Sequence, residues 1–260
     1  MTYPGETQPA PAGSSCQCAE TAPTLSVITT TDPVANQLPQ LLLSLSKLAC
    51  QQDATYEVVV VDDLGFWQTF PEPTAAQYPG LALSLLTPTA WRGQQAAILL
   101  GIQQAKAPLI LTIDPDLHPC VAEIPKMISL LSNKVWAVHG ARSQRDDIGL
   151  LRRIGSHMAN VMVQMITGLK VKDMGSPVTL LTRRALEEMR MPAGAAANPK
   201  IFGYIALGPA LAVYTLTQGS VRHAPSQYSL ISLTLLFAEL LISSLKTRLA
   251  MQRRKEDLAP

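Results

Sequence analysis

A chain of 260 residues, 47% hydrophobic and only 15% charged, is long enough for one large α/β domain with a full core, and carries slightly more apolar surface than such a domain usually shows. Its formal net charge of +2, with basic residues scattered until the carboxyl end, excludes nucleic acid as the expected partner. Of the four cysteines, Cys16 and Cys18 lack a second pair at metal-site spacing, so these two, Cys50 and Cys120 read as reduced and structural or incidental.

Residues 1–23 are rich in Pro, Gly, Ser, Thr and Gln, with neither a basic start nor an apolar core, and read as a disordered leader. With no secretory signal, the catalytic part is expected to face the cytoplasm. Leu25–Ile28 predicts a short strand, Thr29–Pro33 a turn, and Gln37–Cys50 an amphipathic helix with closely spaced leucines. Tyr56–Asp63 is a second buried strand that ends on two carboxylates, Asp62 and Asp63, beside the first βα turn. There they are placed to hydrogen-bond a ribose or base, although strand-end solvation explains them as well. Leu81–Leu86 predicts a strand and Arg92–Ala105 a helix. Gly93 at the head of that helix lets the backbone approach a ligand, and Arg92 beside it is suited to a phosphate.

The chain is organised around Leu109–His118, which reads Leu-Ile-Leu-Thr-Ile-Asp-Pro-Asp-Leu-His. Its apolar part is what a strand buried on both faces of a parallel sheet looks like. It stops at Asp114 and Asp116, just past a strand's carboxyl end, where open α/β sheets bind ligands. Two hard oxygen ligands held close together suit Mg²⁺ or Mn²⁺. A strand cap with a turn stiffened by Pro115 is the other reading of the same residues. Ala122–Leu131 predicts a further helix and Val135–His139 a further strand, so strand and helix alternate over the first 140 residues. That alternation predicts a doubly wound, mostly parallel sheet flanked by helices.

Toward the carboxyl end, Ile201–Val213 is apolar but interrupted by Gly203, Gly208 and Pro209, and is placed on the acceptor side of the domain. Tyr228–Leu245 is apolar apart from hydroxyls and Glu239, and Lys246, Arg248, Arg253, Arg254 and Lys255 follow. It is short of the roughly 20 apolar residues of a spanning helix. An interfacial helix with a basic flank drawn to anionic headgroups fits it, and packing on the domain or a second subunit is the alternative. The expected organisation is a leader at 1–23, a domain at 24–227 and a membrane-surface helix with a basic tail at 228–260.

The order of these pieces resembles the family 2 glycosyltransferases of GT-A fold, most of all the polyprenyl-phosphate branch that includes dolichol-phosphate mannose synthase and the undecaprenyl-phosphate aminoarabinose transferases. The resemblance lies in Val58–Asp63, Arg92–Ala97, Ile113–His118 with Glu123–Pro125 behind it, Arg152–Ser156, and Thr167–Ser176. It implies a hexosyltransferase-type enzyme of the cell envelope, working at the cytoplasmic membrane face. Such an enzyme would use a nucleotide-sugar donor, a divalent metal on its diphosphate, and inverting transfer to a polyprenyl-phosphate acceptor. By position, Asp62 and Asp63 match the pair that meets the nucleoside, and Asp114 and Asp116 match the metal motif. His118 falls where the branch usually has a glutamine that also contacts the metal, with a capping or packing histidine as the alternative. Arg142, Arg145 and Arg152 lie where relatives hold the donor diphosphate or acceptor phosphate. An acceptor phosphate is already an anion and needs no base, whereas a sugar hydroxyl would need one. For that case Asp173 or Asp146 and Asp147 stand by, and a turn role before Gly175 describes Asp173 equally well.

Three stretches depart from the family pattern. Thr29–Asn36 lacks the usual glutamate turn, Leu64-Gly65-Phe66-Trp67 replaces Gly-Ser, and Val221–Tyr228 is shortened. They support the alternative function, a catalytically impaired relative acting as a nucleotide-binding or membrane-associated interaction subunit. A homo-oligomer and a membrane protein partner both stay open.

Overall fold

Four apolar runs, Leu25–Thr30 (β1), Tyr56–Val61 (β2), Leu81–Leu86 (β3) and Leu109–Thr112 (β4), lie parallel and side by side in a computed structural model of the chain. The structure describes residues 22–31, 37–62, 77–88, 94–143, 161, 164–165, 168, 171–190, 199–217 and 242. β1 and β2 are buried at every position, because helices cover both faces of the sheet.

The chain moves from β1 through helix α1 (Leu38–Gln51) to β2, and on to β3 at the sheet edge. It then returns through α2 (Gln94–Gln104) to place β4 on the other side of β1. Crossovers of one hand that step in opposite directions put their helices on opposite faces. α1 accordingly packs Leu41, Leu42 and Leu45 over Val27, Val58 and Leu111, whereas α2 lies on the face of Ile28, Val59 and Ile110. On that second face the approach is close: a Cβ added to Gly101 of α2 would come within 2.4 Å of Ile28 Cγ2.

The sheet has seven strands in the order β3-β2-β1-β4-β6-β5-β7, with β5 at Ala137–Arg142, β6 at Thr179–Thr182 and β7 at Leu211–Leu216. β6 runs against its neighbours β4 and β5, while β5 and β7 are parallel to each other. The mostly parallel, doubly wound sheet expected from the sequence is therefore present, with one reversed strand that the sequence did not reveal. β5 also runs three residues past the expected His139, because Gly140, Ala141 and Arg142 pair with Tyr214, Thr215 and Leu216 of β7. After β4 the chain turns through a 3-10 segment, Pro115–Glu123, before the short α3 (Ile124–Ser129). The helix expected from residue 122 thus begins as a tighter coil seven residues earlier. Helices α4 (Arg183–Glu188) and α5 (Pro199–Leu207) complete the face shared with α2. The apolar stretch at 201–213 is the bulk of α5, a 3-10 turn at Gly208–Ala210 and the start of β7.

Among the described residues no helix is long and apolar enough to cross a membrane. The leader lies almost wholly outside the described residues, as does the carboxyl-terminal stretch from 228 apart from Ile242, which is exposed.

Candidate active site

Strand order reverses between β1 and β4, and the carboxyl end of β4 carries Ile113, fully buried, and then Asp114. Asp114 is extended (φ −82°, ψ 150°) and precedes the 3-10 segment, in whose first turn Asp116 stands. Both residues are half-buried. Gln94 at the head of α2 donates from Nε2 to Asp114 Oδ1 at 2.9 Å. Burial first, and then the neighbouring Asp116 charge, push the Asp114 carboxyl up to about 6, while the Gln94 hydrogen bond and the charges of Arg142 and Lys200 pull the other way. A buried carboxylate whose ionisation is opposed by a neighbouring carboxylate is a site that a cation stabilises.

Asp62 lies at the carboxyl end of β2, 3% exposed, and its Oδ1 accepts from Thr31 Oγ1 at 2.9 Å. Its backbone N–H donates to Leu86 O at 2.9 Å, which fixes the strand ends beside each other. Asp62, Thr31 and Asp114 thus occupy the ends of three adjacent parallel strands or the turns that leave them. The buried hydroxyl of Thr29 in β1 and Nδ1 of His118 have no hydrogen-bond partner in the structure. Asp63, Arg92, Gly93, Arg145 and Arg152 lie outside the described residues.

Reversal of β6 brings the turn before it to the same end of the sheet. Thr112 Oγ1 donates to Pro177 O at 2.6 Å across that junction. In the turn, Asp173 adopts a left-handed φ of 49°. Its carboxylate accepts from Arg142 Nε at 2.7 Å, from the second guanidinium nitrogen at 3.1 Å and from the Arg142 backbone N–H at 3.2 Å. Arg142 and Asp173, proposed separately from the sequence, are therefore one ion pair with both side chains largely buried. Beneath the pair, His139 Nε2 lies 3.0 Å from the Asp173 carbonyl and its Nδ1 2.8 Å from Tyr204 Oη, which in turn lies 2.8 Å from Thr179 Oγ1. A carbonyl only accepts, so Nε2 carries the proton and Nδ1 accepts from the tyrosine. Lys200 donates to Met174 O at 2.9 Å and Ser176 O at 2.5 Å. Sequence reasoning missed Gln94, Lys200 and Tyr204. A single lysine at the head of the apolar run 201–207 was the signal available for Lys200.

Burial, helped by the Lys200 charge, lowers the His139 pKa to about 4. A folded-state pKa below the unfolded value means that the unfolded chain takes up the proton first. Stability is then lost as pH falls from about 6.5 toward about 4, by about 3 kcal/mol in all. Asp114, raised by burial, acts in the opposite sense over part of that window, so urea melts of His139→Gln against wild type isolate the imidazole. The variant should show a shallower loss between pH 6.5 and 4, and identical slopes would rule this role out.

A cavity of about 770 Å³ opens at Asp114 between α2, β6 and α4. Gln94, Asp114 and Lys200 line it together with apolar side chains such as Ile98, Leu99 and Leu186 and the charged Arg183, Glu187 and Arg190.

Mg²⁺ and Mn²⁺ are typically held by one or two carboxylates, with water and substrate phosphates filling the shell. Asp114 and Asp116, adjacent and mutually repelling, fit that donor set. Among the described residues no group of three His, Cys, Asp or Glu side chains is arranged to hold a metal.

Known proteins resemble this chain in sequence and in fold. The undecaprenyl-phosphate 4-deoxy-4-formamido-L-arabinose transferase of Serratia proteamaculans is 30% identical over 161 residues, which are 60% of this chain and 49% of that protein. Its counterpart in Pseudomonas aeruginosa is 32% identical over 162 residues, 60% and 47% of the two chains. The chain spans about half the length of the curated relatives it matches. Glucosyl-3-phosphoglycerate synthase from Mycobacterium tuberculosis, solved in complex with Mn²⁺, UDP and glucosyl-3-phosphoglycerate, shares the fold. Its TM-score is 0.58 over 93% of this chain and 86% of that one, at 16% identity. The model of glycosyl transferase family 2 matches residues 26–190, from β1 through the Asp114 turn and the reversed strand to the end of α4. A match of that extent, over a sheet whose switch point carries the paired aspartates, makes this chain a member of glycosyl transferase family 2.

Proposed function

We propose that the chain transfers a sugar from a nucleotide-sugar donor to a polyprenyl phosphate, with inversion, at the cytoplasmic face of a membrane. The observation that carries this reading is the Asp114–Asp116 pair at the strand-order switch of a family 2 fold, with Asp62 at the neighbouring strand end. The names of the curated relatives support a lipid-phosphate acceptor, and the Mn²⁺ and UDP in the structural neighbour support the donor and metal.

In this reading Asp62, and Asp63 after it, hold the nucleoside, with Arg92 and Gly93 beside the phosphates. Asp114 and Asp116 hold the divalent cation, which when bound neutralises charge on the departing diphosphate. Gln94 keeps Asp114 turned toward the site. The acceptor phosphate oxygen attacks the anomeric carbon from the face opposite the diphosphate; the new C–O bond forms as the bond to the diphosphate oxygen breaks, and nucleoside diphosphate leaves. The attacking oxygen is already anionic, so the side chains move no proton. Arg142, fixed by Asp173, adds a positive charge at the edge where negative charge is redistributed.

Calorimetric titration of UDP- and GDP-sugars, with and without Mn²⁺, tests the proposal. Binding of one donor that requires Mn²⁺ is the expected result. Absence of binding by every donor would leave the interaction-subunit reading, favoured by the replaced loop at residues 64–67.

A further inference from the structure

Asp116 sits on a segment whose own hydrogen bonding holds it poorly. Pro115–Glu123 is a nine-residue 3-10 run in which Leu117 leaves helical angles (φ −100°, ψ 18°) and Pro119 supplies no N–H. Hydrogen-bond geometry in a 3-10 helix is poor and runs of this length are uncommon, so the segment needs support from outside. Leu117 donates its N–H to Asp114 O at 3.0 Å, closing the turn that bears both aspartates. Leu117, Cys120 and Val121 pack into the core on the α1 side.

The far end of the segment is tied down differently. Glu123 is 4% exposed, and both of its carboxylate oxygens accept from the Thr217 N–H, at 3.0 and 3.1 Å. Oε2 also accepts from Tyr214 Oη at 3.0 Å. Tyr214 belongs to β7, and Thr217 follows the last residue of that strand. β7 pairs with β5 as far as Arg142, which lies opposite Leu216, and the Ser143 N–H donates to Leu216 O at 3.2 Å. One carboxylate thus joins the segment bearing Asp116 to the strand pair that carries Arg142. The thiol of Cys120, 1% exposed, feels both sides of this junction: burial first, and then the charges of Glu123 and Asp116, push its pKa up, while Arg142 pulls the other way. Burying a carboxylate costs desolvation that an apolar side chain would avoid. What the carboxylate adds is direction, because charge-assisted bonds to N–H and O–H fix distance and angle.

We propose that Glu123 is a positioning residue for the cation site, clamping the segment that bears Asp116 to the end of β7 and so setting the spacing between the Asp114–Asp116 pair and Arg142. The inference rests on the glycosyltransferase reading above and adds to it the contact that holds the two charge-neutralising parts of the site in register. Groups that only orient a metal ligand contribute strongly to metal affinity, and the clamp acts in that way from the end of the ligand-bearing segment.

The test titrates Mn²⁺ by calorimetry into the full chain, with UDP or GDP present, for wild type and variants. Glu123→Asp keeps the charge but falls one methylene short of Thr217, and should weaken Mn²⁺ binding roughly tenfold. Glu123→Gln loses the charge but keeps the reach. Its Oε1 accepts the Thr217 N–H and its Nε2 donates to Tyr214 Oη, so it should lose less, about threefold. Tyr214→Phe keeps the charge and removes one bond, and should also cost about threefold, which decides the matter if Glu123→Asp does not fold. The reverse order, with glutamine binding Mn²⁺ more weakly than aspartate, would show that Glu123 acts only as a charge and would overturn the clamp. Unchanged Mn²⁺ affinity in folded variants of lower Tm would reduce Glu123 to a structural contact and overturn it as well. Exchange of the Leu117 amide, read by NMR without metal or nucleotide, should quicken about tenfold in Glu123→Asp. If wild type binds no Mn²⁺ with either nucleotide, the glycosyltransferase reading fails, and the Leu117 amide still decides whether Glu123 holds the turn.

Discussion

Asp116→Asn is expected to abolish Mn²⁺-dependent donor binding, lowering metal affinity at least about 100-fold, and to leave the folded structure intact. Loss of groups that only orient a metal ligand already costs 10- to 100-fold, and here a charged ligand itself is removed. Asp116 is half-buried in the first turn of a 3-10 segment and is not part of the packed core, so no large cavity is left behind. The variant has a second signature. Asp116 is one of the causes that push Asp114 upward, so the Asp114 carboxyl should titrate lower in the variant than in wild type. Carbon-detected NMR of labelled aspartates reads that shift directly, without substrate. Unchanged Mn²⁺-dependent donor binding in Asp116→Asn would refute the site assignment.

Asp173→Ala should cost about 3–5 kcal/mol of stability, a loss on the order of 10 °C or more in Tm, because it removes the carboxylate that pairs with the largely buried Arg142 guanidinium. The left-handed φ of 49° adds to the penalty for alanine, while asparagine tolerates it. Asp173→Asn should therefore fall between alanine and wild type, and Arg142→Leu in the asparagine background should restore part of the loss. Guanidinium melts of the four proteins measure this coupling. A cost below about 0.5 kcal/mol for alanine would show that the pair contributes little, as many exposed pairs do. The same series separates two roles for Asp173. A general base would lose turnover in the asparagine variant at nearly native stability, whereas a partner that positions Arg142 would lose both together.

Six early elements were legible from β1 to β4 because buried parallel strands are continuous apolar runs, and this signal survives without knowledge of their partners. β6 was not legible. Thr179-Leu-Leu-Thr182 is four residues long, and its strand character comes from pairing with β4 and β5 on either side. The end of β5 was missed for the same reason, since Gly140, Ala141 and Arg142 are extended by β7 and not by their own composition. Within the site, Asp62, Asp114 and Asp116 could be found because each sits at or just past the end of a readable strand. The Arg142–Asp173 pair could not, because its members are 31 residues apart and meet only after β6 reverses. Lys200 stands among apolar neighbours in sequence, and only the fold shows that its ammonium reaches the Met174–Ser176 turn.

The reversed strand also has a consequence during biosynthesis. β4 leaves the ribosome well before Thr179–Thr182, the strand that covers its free side. At roughly 5–20 residues per second, a nascent chain carries Leu-Ile-Leu-Thr as an unprotected sheet margin for several seconds. Such a margin pairs readily with other chains. Ribosome pauses between residues 112 and 179 would lengthen that exposure, and synthesis that stops short of Thr179 would leave it permanent, so the central strand of this enzyme fold is also its point of greatest aggregation risk before completion.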